Sequence, residues 1–254
     1  MSWSLGSENF SGSDSTSAFR QSFGNAKPIV EPSREIDRYA NLLDVYRSQS
    51  HTGTGPVLVH LHGGGFRVGK KSREARPLFN RLARRGWVCV SADYRLRTRY
   101  SDQLEDVKKV LAWVREHGPE YGGDPNAVFV AGSSAGGHLA SMAALTSNDP
   151  SLLGVVSLYG YYGPAGRQRA SPMAFDGEGA PAFFVAHPER DTLVVVEDAR
   201  RFVASLRKGS TNPVVYAELP GAQHGFDFFY SIRFEAVIDG IEAFADSIRA
   251  RRRS

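Results

Sequence analysis

The sequence predicts an α/β protein built on a parallel sheet, and three observations carry that expectation. Short runs of β-branched and apolar residues recur along the chain, segments long enough for crossover helices separate them, and the runs are apolar throughout instead of alternating with polar residues. Strands covered by helices on both faces have this character, because such a sheet has no solvent side.

Residues 1–38 are rich in Ser, Gly and Asn with scattered Trp3, Phe10, Phe19 and Phe23, and are expected to be a flexible segment or thin cap ahead of one domain at 39–254. Strands are expected at 57–61, 87–92, 127–131, 154–159, 182–186 and 214–219. Helices are expected at 73–85, 101–117, 135–146, 196–208 and 231–252. The second of these is the most regular: Leu104, Val107, Leu111 and Val114 repeat at helical spacing, and Gly118-Pro119 ends it. A chain of 254 residues suits one hydrophobic core.

Charge and composition narrow the function classes. The net charge of +4 does not call for a nucleic acid, and none is expected as a partner. Basic residues do cluster between Arg67 and Arg85, against Glu74 alone. That run allows a weak contact with an anionic membrane surface, although such charges more often form the solvated face of a helix. Cys89 is the single cysteine, which excludes an intramolecular disulfide and a Cys-based zinc site; no metal and no organic cofactor is expected. The first residues lack a leader's basic and apolar regions, and no apolar run approaches the ~18 residues of a membrane span, so the expected location is cytoplasmic.

In parallel α/β sheets ligands bind beyond the carboxyl ends of the strands, so chemistry is sought there. The strand at 127–131 runs into Gly132-Ser133-Ser134-Ala135-Gly136-Gly137 and then an alanine-rich helix. In a Gly-x-Ser-x-Gly turn between strand and helix the central serine, Ser134, is the candidate nucleophile. The strand at 57–61 ends in His62-Gly63-Gly64-Gly65-Phe66, whose backbone N–H groups are free to converge on a negative oxygen. A phosphate loop competes for these glycines, since Gly64 to Lys70 matches the first seven positions of that motif, but Lys71 stands where a magnesium-binding Ser or Thr is required. A serine nucleophile needs a base and the base a carboxylate, in the order serine, acid, histidine. Asp191 and His224 follow the strands at 182–186 and 214–219 and fill those places; His187 also precedes the acid but lies early in its loop.

The combination of His62-Gly-Gly-Gly65, Asp93-Tyr-Arg-Leu96, Gly132-Ser-Ser-Ala-Gly136, Asp191 and His224-Gly-Phe resembles the bacterial hormone-sensitive-lipase-like carboxylesterases of the α/β-hydrolase fold. Within them it is most similar to the actinobacterial, mycobacterial type, over residues 39–250. The resemblance implies a small-molecule ester substrate, an acyl-enzyme on Ser134, and an oxyanion held by the N–H groups of Gly64, Gly65 and Ala135. Three departures stand out: Ser133 where many relatives have Asp, no proline-rich stretch after Leu96, and Pro188 where glycine is commoner. With so thin a cap, an open, shallow pocket walled by Phe66, Tyr161, Tyr162 and Phe175 is expected, favouring short to medium acyl groups. An amide-cleaving relative such as an arylformamidase uses the same groups, and a catalytically silent binding module is the other alternative.

Overall fold

The computed structural model describes residues 29–35 and 42–253. The strands are β1 (Ile29–Glu35), β2 (Leu42–Arg47), β3 (Gly55–Leu61), β4 (Val88–Ala92), β5 (Gly123–Ser133), β6 (Leu152–Leu158), β7 (Ala182–Pro188) and β8 (Val214–Leu219). The α-helices are α1 (Arg76–Arg84), α2 (Tyr100–His117), α3 (Ala135–Leu145), α4 (Val196–Leu206) and α5 (Ile232–Arg253). The strands form one sheet in the order β1-β2-β4-β3-β5-β6-β7-β8, parallel from β4 to β8. This is the α/β-hydrolase architecture, and each strand and helix expected from the sequence is present.

Two strands lie outside that expectation. β1 and β2 pair antiparallel and extend the sheet beyond β4. Their sequences hide them: Asp44 interrupts the apolar run of β2 and is buried only because it meets the Lys71 ammonium at 3.3 Å. β1 contains Pro32, and its register shifts there between Glu31 and Arg34, as an edge strand tolerates. Apart from residues 29–35, the segment expected to form a thin cap lies outside the described residues.

Side chains alternate between the two faces of the sheet. Val57, Val59 and Leu61 of β3 and Val128 and Val130 of β5 pack with α2, α3 and α4; Leu58, Phe129 and Ala131 pack with α1 and α5. By the same period His60 and Ser133 fall on the α1–α5 face, where the His60 ring meets Phe79 edge-on at 5.3 Å. Both strands end at the same level, with Leu61 opposite Gly132.

Helix α3 starts so close to β3 that a β-carbon on Gly136 would stand 2.0 Å from the Leu61 carbonyl oxygen. That neighbour is backbone in the sheet centre and cannot yield. Gly136→Ala is therefore expected to lower unfolding free energy by about 3 kcal/mol or more, or to abolish soluble protein; urea denaturation beside wild type measures it, and a loss below about 1 kcal/mol contradicts the close approach.

Candidate active site

Ser134 occupies the turn between β5 and α3 with φ +54° and ψ −116°, a conformation that L residues adopt only when the surroundings impose it. Its N–H donates to the Leu158 carbonyl at 3.0 Å, and its own carbonyl accepts the N–H groups of His138 and Tyr161 at 3.2 and 3.1 Å. These bonds hold the strained turn. Ala135 follows as the first residue of α3, and the leading N–H groups of a helix have no acceptor within it.

The loop after β3 is braced from three sides. Gly64 adopts φ +117°, and a β-carbon there would stand 1.8 Å from the Val68 carbonyl oxygen, so this turn requires glycine. The Tyr94 hydroxyl donates to the His62 carbonyl at 2.9 Å, and the two rings stack at 4.4 Å. Asp93 accepts the Lys71 N–H at 2.6 Å, and Gln103 of α2 donates its amide to the Phe66 carbonyl at 2.9 Å. The Asp93-Tyr94 pair thus acts as the scaffold of the glycine loop. From below, the Gly63 N–H donates to a Glu74 carboxyl oxygen at 2.6 Å.

Asp191 and His224, the expected acid and base, come from the loops after β7 and β8. Asp191 accepts the N–H groups of Leu193 and Val194 on one oxygen at 2.9 and 2.8 Å, and His224 Nδ1 on the other at 2.7 Å. A carboxylate accepts, so His224 carries its proton on Nδ1 and keeps the Nε2 lone pair free for a proton. Burial alone would raise the Asp191 carboxyl, yet the His224 bond and the two backbone N–H groups hold it below the ordinary value. His187 is fully buried beneath the acid, with Nε2 on the Val194 carbonyl at 3.0 Å and 3.6 Å from Asp191. The histidine in contact with the acid across the site is therefore His224. Pro188 ends β7, so its missing donor falls where the ladder stops.

Ser134, His224, Gly64, Gly65 and Ala135 line one cavity of about 730 Å³, within the range of small-molecule sites. Of the four expected wall residues, Phe66 and Tyr161 line it. Tyr162 does not: it is fully buried, stacked on Phe202 at 4.3 Å, because the alternating directions of Tyr161 and Tyr162 send one ring to the cavity and the other to the core. Phe175 does not either, and packs against the core on the α4 side. The missing walls are Tyr159, Leu193 and Phe228, with Arg73 over the Phe228 ring and Glu74 at the floor. Glu74 had a signal in the sequence as the lone acid of its basic run; Phe228 had none.

Behind the wall, His138 is enclosed between the Tyr161 carbonyl and the Tyr100 hydroxyl, each at 3.0 Å. The carbonyl can only accept, so His138 is neutral with its proton on Nδ1. Among the described residues, donor atoms of His60, Glu74 and Asp227 lie within 4.8 Å of one another, the one such grouping a metal ion could use. Both carboxyl groups there are already engaged by hydrogen bonds, and that network accounts for their proximity.

A family description named BD-FAE matches residues 43–164. The chain is 39% identical to a probable carboxylic ester hydrolase, LipM, of Mycobacterium tuberculosis, over 83% of this chain and 59% of that protein. It is 36% identical to esterase LipC of the same organism, over 85% of this chain and 64% of LipC. The chain thus spans about three-fifths of the length of these relatives. Among solved structures, the propionate-bound thermophilic esterase Est2 of Thermogutta terrifontis superposes with a TM-score of 0.78 at 23% identity, covering 87% of this chain and 94% of that one. Among the described residues no helix is long and apolar enough to cross a membrane.

Burial lowers His138 to about 4, below the ~6.5 of an unfolded histidine. The native state then binds fewer protons than the unfolded one, so this contribution to stability is complete above pH ~6.5 and lost as pH falls toward 4. The loss amounts to about 3 kcal/mol. His138→Gln should therefore show a weaker decline in unfolding free energy between pH 7 and pH 4 than wild type; parallel declines in denaturant titrations contradict the assignment.

Proposed function

We propose that the chain is a hormone-sensitive-lipase-like carboxylesterase of the α/β-hydrolase fold and that it hydrolyses carboxylic esters through an acyl-enzyme on Ser134, a reading supported by its similarity to mycobacterial esterases. The observation that carries this reading is the Asp191–His224 bond at the edge of the cavity that Ser134 also lines. In the reaction, His224 Nε2 takes the proton of Ser134 Oγ as the oxygen attacks the ester carbonyl, and Asp191 stabilises the imidazolium that results. The tetrahedral oxyanion is held by the N–H groups of Gly64, Gly65 and Ala135. Each such donor is worth about 10²–10³ in rate. His224 then protonates the leaving alcohol, and a water deprotonated by the same nitrogen releases the acid.

Phe66, Tyr161, Leu193 and Phe228 supply apolar walls suited to an acyl or alkyl group, and the volume suits a short to medium one. Weak attraction to an anionic surface is supported by Arg67, Lys70 and Arg73 beside exposed Val68.

A fluorophosphonate should add once to the intact protein, with the adduct absent in Ser134→Ala and present in Ser133→Ala, since Ser133 Oγ is buried on its partners. Intact mass reads it, and a protein that takes no adduct is the silent module. Across p-nitrophenyl esters, kcat/KM should peak at short to medium acyl chains and drop at least about tenfold at palmitoyl, a methylene-sensitive discrimination. A maximum at the longest chain overturns the short-acyl preference, and faster turnover of N-formyl aryl amines overturns the ester reading.

A further inference from the structure

A group of polar side chains lies under the reacting serine on the α1–α5 face of the sheet, and the triad and oxyanion loop do not use it. His60 comes from β3, Ser133 from β5, Glu74 from the loop before α1, and Asp227 from the loop after His224. All four are buried. The donors and acceptors can be assigned from their chemistry. Asp227 accepts the Ser133 hydroxyl at 2.7 Å on one oxygen and the Tyr159 hydroxyl on the other. Ser133, having given its hydrogen away, accepts from His60 Nε2 at 3.1 Å. His60 is then the neutral Nε2–H tautomer, which leaves a lone pair on Nδ1, the ring nitrogen without a partner. That lone pair costs less to bury than an unpaired N–H would.

Glu74 has a different environment. Its carboxyl accepts one backbone N–H, that of Gly63, and lies within 4.8 Å of the Asp227 carboxylate. Two buried carboxylates at that separation repel, so one proton is retained between them. Asp227 receives two hydroxyl hydrogens and Glu74 a single amide hydrogen, which puts the charge on Asp227 and the proton on Glu74.

We propose that Glu74 and Asp227 form a buried acid pair sharing one proton and are positioning residues for this active site: Glu74 acts through Gly63 on the oxyanion loop, and Asp227 acts through Tyr159 on His224. The contacts supply both routes. Gly63 directly precedes Gly64 and Gly65. The Tyr159 ring, with its hydroxyl fixed on Asp227, stands against the His224 ring at 4.5 Å, and its N–H is fixed on Ala186 at 2.8 Å. Asp227 also places a carboxylate against the Ser133 hydroxyl. Burial and the Asp227 charge push Glu74 up to about 7, and burial also raises Asp227. Arg73 opposes the shift at Glu74; His60, His62, Asp93, Tyr94, Tyr159 and His224 are the other titratable groups around the pair.

The proposal rests on the esterase reading and carries a pH signature of its own. Glu74 lines the cavity floor, so its ionisation places a negative charge where the reaction develops another. Activity is therefore complete with Glu74 neutral and is lost as pH rises through its titration, which gives the profile an alkaline limb. In kcat profiles on p-nitrophenyl butyrate from pH 5 to 10, Glu74→Gln should lack the alkaline limb at whatever level it turns over. Asp227→Asn removes the neighbouring charge and should shift that limb toward acid by about one unit while lowering kcat more than it changes KM. Infrared difference spectra at pH 6 should show a protonated buried carboxyl in wild type that Glu74→Gln lacks, a readout independent of turnover. An alkaline limb unchanged in Glu74→Gln, or no such carboxyl band in wild type, overturns the proposal. So does a stoichiometric divalent ion found in the purified protein by elemental analysis, because ligation would displace the shared proton. In each of these cases a wild-type chain that still takes one fluorophosphonate leaves the esterase reading standing; a chain that takes none removes that reading first.

Discussion

The close approach of the β5–α3 turn to the carboxyl end of β3 governs this site. Gly136 meets the Leu61 carbonyl so tightly that no side chain fits between them. The consequence is that Ser134, on the turn, stands over the loop that begins at His62. Ser134 and the Gly64-Gly65 loop come from segments about 70 residues apart in the chain, and the parallel β3–β5 register brings them to one level. The strain at Ser134 follows from the same contact, because a turn this sharp leaves its central residue at positive φ.

Sheet parity then divides the labour. Odd-numbered residues of β3 and even-numbered residues of the end of β5 bury aliphatic side chains under α2, α3 and α4. The opposite parity of these two strands gives the α1–α5 face, where each strand is apolar until its last position of that parity, His60 on β3 and Ser133 on β5. Polar groups are costly in a core unless partnered, and the partners arrive from loops instead of strands: Glu74 and Asp227.

The sequence exposed those features that are local in the chain. The apolar runs, the glycine turns and the strand-end positions of Ser134, Asp191 and His224 all depend on neighbours within a few residues, and the structure brings these three to one site. Features set by distant packing stayed hidden. β1 is the edge strand and carries Pro32, and β2 beside it carries the buried Asp44, so neither shows the continuous apolar run of the central strands. Tyr161 and Tyr162 are adjacent and chemically alike, and only the direction of the backbone at the end of β6 decides which faces the cavity. Phe175 and Phe228 show the same limit in opposite directions, one packed on the core and the other lining the cavity.

The loops also explain how two halves of a site can be rigid separately and still meet. The loops that carry Asp191 and His224 are joined by main-chain bonds, Glu189 to Leu219 at 3.0 Å and Arg190 to Ala222 at 3.1 Å. The Ser134 turn and the glycine loop are held together by the close approaches at Gly136 and Gly63, with the Tyr94 hydroxyl bracing the loop from its other side. Catalysis by positioned groups tolerates little misplacement between two such halves, which makes the connection between them decisive. Tyr159 provides it, leaving β6 one residue after the Leu158 carbonyl that holds Ser134, with its N–H on β7 and its ring on His224. A single residue at positive φ, +39°, satisfies all three contacts because its backbone and side chain face different halves. The spacing of His224 to Ser134 is therefore set, among the described residues, from beneath the cavity, by the sheet and its polar end.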